Sequence, residues 1–168
     1  MILGMTPFTF FHVAISLVAI VSGLVVLLQG LLSSRRLPGW TAIFLITTVA
    51  TSVTGFFFPF VRLMPSHGVG IVSLLVLAVT IPALYKYRLA GAWRWIYVVG
   101  ALLSLYLNVF VLVVQLFVKV PALKAIAPTQ ADPPFAIAQG MVLLIFIVLG
   151  VLAVRRFHIE PTANPEQA

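Results

Sequence analysis

Five stretches of this chain contain no aspartate, glutamate, lysine or arginine: residues 8–32, 40–61, 69–85, 95–118 and 135–154. Crossing a hydrocarbon core of about 30 Å takes about 20 apolar helical residues, with a range of roughly 17 to 25. Each stretch meets that length; the third is the shortest and carries Pro82 near its end. The stretches are continuously apolar and do not alternate with period two, which excludes a closed barrel, the other architecture that satisfies its backbone in lipid. An all-α integral membrane protein is therefore expected, with five transmembrane helices in one bundle over residues 1–156 and a polar tail over 157–168. Composition agrees: only 8% of the residues are charged and 62% are hydrophobic, against roughly a quarter charged in soluble domains.

The connecting segments carry the charge unevenly. With five spans, Arg35, Arg36, Lys86, Arg88, Arg94, Arg155 and Arg156 fall on one face, and Arg62, Lys119 and Lys124 on the other. Cytoplasmic loops hold the excess of basic residues, so the N-terminus is expected outside and the C-terminus in the cytoplasm of a bacterial inner membrane. Trp40, Trp93 and Trp95, with Tyr85, Tyr87 and Tyr97, gather at the more basic edge as an interfacial belt does. The first run has no basic leader and is too long for a cleaved signal peptide, so it is expected to be retained.

The same charges exclude several functions. Net charge is +7, but it lies in short clusters between apolar runs and forms no continuous face for nucleic acid. No cysteine is present, which removes disulfides, thiolate metal sites and cysteine nucleophiles. No phosphate loop, Ser/His/Asp set or conventional metal-ligand spacing occurs, so the chain is not expected to be an enzyme on its own. The segment 119–134 holds four prolines and has room for one short helix at 122–126.

What chemistry remains must come from uncharged polar groups inside the runs. His12 lies four residues inside the outer end of the first span, about 6 Å deep. His67 stands at the outer mouth of the third, with Gly68 and Gly70 beside it, and Gln139 and Gln115 lie near the outer ends of the fifth and fourth. Helical spacing places Ser104, Asn108, Val111 and Gln115 on one stripe; His12, Ser16, Ala19, Gly23 and Gly30 on another; and Thr47, Thr51 and Thr54 or Gly55 on a third. Small and polar stripes are expected to face neighbouring helices. Two imidazoles in their neutral, ligating form could serve as axial ligands of a b-type haem or border a quinone, with Arg62 or Lys119 beside the propionates. A metal held by His12, His67 and Asp132 needs the outer loop to fold back. Both imidazoles can equally be ordinary interfacial side chains, and the stripes ordinary packing.

The segments TPFTFFHVAISLVAIVSGLVVLLQG, TSVTGFFFPF, PSHGVGIVSLLVLA, AGAWRWIYV and LYLNVFVLVVQ resemble those of small multi-span proteins of bacterial inner membranes, a group that brings no activity with it. One histidine early in a helix and a second at the head of a later one resembles the pattern of membrane b-type cytochromes, although His67 stands nearer the helix edge than such ligands do. Three functions stay open. The first is a non-catalytic subunit that docks other membrane helices or copies of itself, the second a haem b or quinone protein, and the third a transporter or channel for a small molecule lined by Asn, Gln, Ser and Thr.

Overall fold

In the computed structural model, which describes residues 6–58 and 65–158, the chain is all-helical, and no strand occurs among the described residues. Prolines mark most of the helix starts, because a first-turn residue needs no N–H and proline's φ suits a helix. Helix α1 (Pro7–Val25) begins this way, capped by Thr6, whose hydroxyl accepts the Thr9 N–H at 3.2 Å. Helices α2 (Pro38–Gly55) and α3 (Pro65–Tyr85) also start at proline. After α4 (Trp93–Lys119), so do α5 (Pro121–Ile126), the short helix expected at 122–126, and α6 (Pro133–Arg156). Beyond Val25 the first helix continues as a π-helix, Val26–Leu31, a wide turn usually confined to single bulges.

Among the described residues, four helices are long and apolar enough to cross a membrane: Pro7–Leu31, His67–Tyr85, Trp93–Lys119 and Pro133–Arg156. This corrects the expectation of five. The one that falls short is α2, with five threonines and one serine among its 18 residues. The charge-free run 40–61 is longer than its helix because freedom from charge does not make a helix: the chain leaves α2 at Gly55, and the Phe57 N–H turns back to the Thr54 carbonyl.

Helix α4 is the hub and packs on α1, α3 and α6, while α1 and α2 pair along their lengths. The pairing is antiparallel, with His12 opposite Thr54, Gly23 opposite Phe44 and Gly30 opposite Leu37. Gly23 is where three helices meet. A Cβ there would lie 2.6 Å from a Leu105 methyl and 2.8 Å from the Phe44 ring, so only glycine permits this approach. Gly100 of α4 likewise receives Thr80 of α3 where a side chain would stand.

The outer surface is apolar. Ile46, Leu75 and Leu144 are 67%, 64% and 62% exposed, which suits hydrocarbon and not water. At the basic end Tyr87 stacks on Trp93 at 3.8 Å, and the Lys86 ammonium lies 5.5 Å from the Tyr87 ring. The tail expected from 157 starts with two residues that pack on the bundle. Phe157 is buried against Tyr97, its carbonyl accepts from Arg94 Nη1 at 3.0 Å, and the His158 N–H donates to Ser34 Oγ at 2.9 Å. The remainder of that tail lies outside the described residues.

Candidate functional site

The two histidines flank the C-terminal end of α2. His12 Nδ1 is 2.7 Å from Thr54 Oγ1, and its ring meets Phe58 edge-on at 5.0 Å. His67, in the first turn of α3, is buried with its ring 5.9 Å from that of Phe56. Each imidazole therefore packs on its own phenylalanine. Gly70 gives Phe56 its place, since a Cβ there would stand 3.1 Å from the ring.

The other nominated residues disperse. Gln139 is buried between α6 and α4, where its Nε2 donates to the Phe110 carbonyl at 3.1 Å. Gln115 is exposed, among exposed neighbours Leu116 and Val118. Arg62 lies outside the described residues. Asp132 is engaged in its own loop, its Oδ2 accepting the Thr129 N–H at 2.6 Å and the Thr129 hydroxyl at 2.8 Å. No group of three His, Cys, Asp or Glu side chains able to hold a metal occurs among the described residues.

The stripes sort similarly. On α1, Ala19 and Gly23 are buried as expected. On α4, Ser104 is fully buried and Asn108 Nδ2 donates to Thr48 Oγ1 at 3.2 Å, but Gln115 leaves the interface. On α2 Thr41, Thr48 and Ser52 are buried, the Thr51 hydroxyl is buried as well, and Thr54 meets His12 of α1. Ser52 donates to Ser73 of α3 at 3.0 Å, whereas Thr47 bonds back to the Ile43 carbonyl of its own helix.

A second site at the opposite, basic end escaped the sequence. A cavity of about 190 Å³ lies there, with Arg35, Arg36, Thr41 and Tyr97 on its polar side and Leu31 and Leu89 on its apolar side. Tyr97 is 3% exposed and its phenol faces the Thr41 side chain. The π-helix contributes Val26, Gly30 and Leu31, and Leu89 reaches the cavity from a left-handed backbone at φ 63°. The paired arginines and the tyrosine belt were visible in the sequence. A π-helix and a left-handed leucine carry no residue signature.

No family model, no curated protein and no solved structure matches this chain. Its own fold sets its class: a membrane protein that is all-helical among the described residues, four of whose helices there are long and apolar enough to span a bilayer.

Proposed function

We propose that this chain is a non-catalytic subunit, or assembly partner, of a larger complex in a bacterial inner membrane. The observation behind this reading is that three of its interior polar groups join one helix to another. His12 meets Thr54, Asn108 meets Thr48, and Gln139 meets the Phe110 carbonyl. Bonds of this kind fix one packing arrangement in lipid, which suits a scaffold. The docking surface is the outer face of α6. That helix is held mainly by α4, and Ile137, Met141, Leu144 and Val148 stand exposed along it. Gly140 lies in the same stripe, where an added Cβ would meet nothing within 4 Å, so the backbone of a partner helix can approach closely.

In this reading α2 lies inside the bundle alongside α1. Its residues rise about 27 Å at 1.5 Å each, and it pairs with α1 from His12 to Gly30. The His12 end then faces outside and the basic end the cytoplasm. Membranes extracted into polymer discs test the docking reading. Wild-type particles are expected to carry protein mass well above one 18.3 kDa chain, and Gly140→Trp to reduce them to a single chain. Single-chain particles for the wild type, or unchanged mass for Gly140→Trp, contradict it.

A second reading, haem b or quinone bound at the histidine end, draws on one observation. Thr54 Oγ1 donates to the Ala50 carbonyl at 2.7 Å, so His12 Nδ1 is the donor to Thr54 and Nε2 keeps its lone pair. Ligating histidines are held this way. A Soret band in the purified protein that is lost in His12→Ala supports the haem form, and its absence after haemin reconstitution removes it.

A further inference from the structure

We propose that the basic-end cavity and an adjoining groove form one binding site for an anionic phospholipid, with its phosphate at Arg35 and Arg36 and one acyl chain laid along α2. The groove, about 460 Å³, runs between α2 and α3 and is lined by Ala42, Ile46, Ala50, Val53 and Ile81. Tyr85 lines both the groove and the cavity, so the two meet there. Neighbouring residues mark the change of chemistry: Thr41 faces the cavity and Ala42 the groove. From Ala42 to Val53 the helix axis rises about 16 Å, enough for most of an acyl chain, and the small side chains of Ala42 and Ala50 help keep the groove open.

Charge identifies the headgroup. Both arginines are exposed at the cavity mouth, and guanidinium groups grip phosphate oxygens in pairs. The sole acidic residue among the described ones, Asp132, is engaged in its own loop at the other end of the bundle, so no described carboxylate lies beside them. Basic pockets between membrane helices take anionic lipid headgroups in general. The backbone around the cavity is unusual in three places: the π-helix Val26–Leu31, Ser34 at φ 52° and Leu89 at φ 63°. Ser34 is locked by bonds in both directions with the His158 backbone. Conformations this rare persist where the surroundings hold them, and they gather at ligand sites. The site takes in Phe157, just past α6, but not the outer face of that helix, and stands apart from the docking reading.

Native mass spectrometry of the purified chain, with phosphatidylglycerol and phosphatidylcholine offered in equal amounts, tests the assignment. Wild type is expected to retain phosphatidylglycerol preferentially, and Arg35→Gln/Arg36→Gln to cut that preference by roughly tenfold. Arg155→Gln/Arg156→Gln, at the same edge but off the cavity, is expected to keep it. Ala50→Phe, checked for an unchanged helical signal, is expected to lower retention by filling the groove. Inorganic phosphate at millimolar concentration should not displace the lipid. An unchanged preference in the Arg35/Arg36 variant, an equal loss in the Arg155/Arg156 variant, full retention in Ala50→Phe, or displacement by phosphate each overturns the proposal, the last in favour of a simple ion site.

Discussion

His12 Nδ1 lies 2.7 Å from Thr54 Oγ1, and that hydroxyl already donates to the Ala50 carbonyl of its own helix. The bond ties the start of α1 to the end of α2 and fixes the imidazole tautomer. Thr54→Val removes the acceptor and leaves a half-buried N–H unpaired, at about 1 kcal/mol. Thr47→Val removes a bond only to its own helix and is expected to stay within about 0.5 kcal/mol of wild type. Thermal unfolding in one detergent compares them; equal shifts would deny the His12 bond a role.

Gly23 and Gly140 make opposite predictions for the same kind of change. A side chain at Gly23 collides with Leu105 and Phe44, and Gly23→Leu is expected to cost about 1 to 3 kcal/mol through overpacking. Gly140→Ala meets nothing within the chain, and is expected to be neutral or stabilising by up to about 1 kcal/mol. Unfolding midpoints that fall together would show that α1 does not pack at Gly23 as described.

Asn108 and Gln115 share a helical stripe but not a role. Asn108→Leu removes the bond to Thr48 and is expected to cost roughly 0.6 to 2 kcal/mol, the range for interhelical bonds in membranes. Gln115→Leu replaces an exposed amide and is expected to be tolerated. A larger loss at Gln115 in a stability assay would reverse the assignment.

The histidine end is proposed to face outward. Gln130→Cys, exposed in the loop before α6, is expected to react with an impermeant thiol reagent on intact cells. Ser33→Cys, exposed at the basic end, should react only after permeabilisation. The reverse labelling contradicts the proposed orientation.

The helical class, the short helix before α6 and the buried face of α1 were legible in the sequence, because apolar runs, prolines and small-residue spacing act locally. The fate of the polar residues was not. Gln115 and Asn108 fall on one stripe by spacing, but only the packing of α2 decides that one is covered and the other left exposed. Thr48 and Thr47 differ by one position, and their choice of partner depends on how α2 is rotated against α3 and α4. His12 and His67 do reach the same end of α2, but the sequence could not anticipate the phenylalanine packed beside each. The basic-end cavity depends on a π-helix and on left-handed backbone at Ser34, Arg88 and Leu89, conformations imposed by tertiary contacts and not by composition.

Crosslinking in the native membrane tests the scaffold reading most directly. A photoreactive residue at Leu144, on the exposed face of α6, is compared with one at Leu75, equally exposed on α3. The proposal predicts one discrete protein adduct from Leu144, lost when Gly140→Trp is added, and only lipid adducts from Leu75. Lipid adducts alone from both positions, or a Leu144 adduct that survives Gly140→Trp, would contradict it.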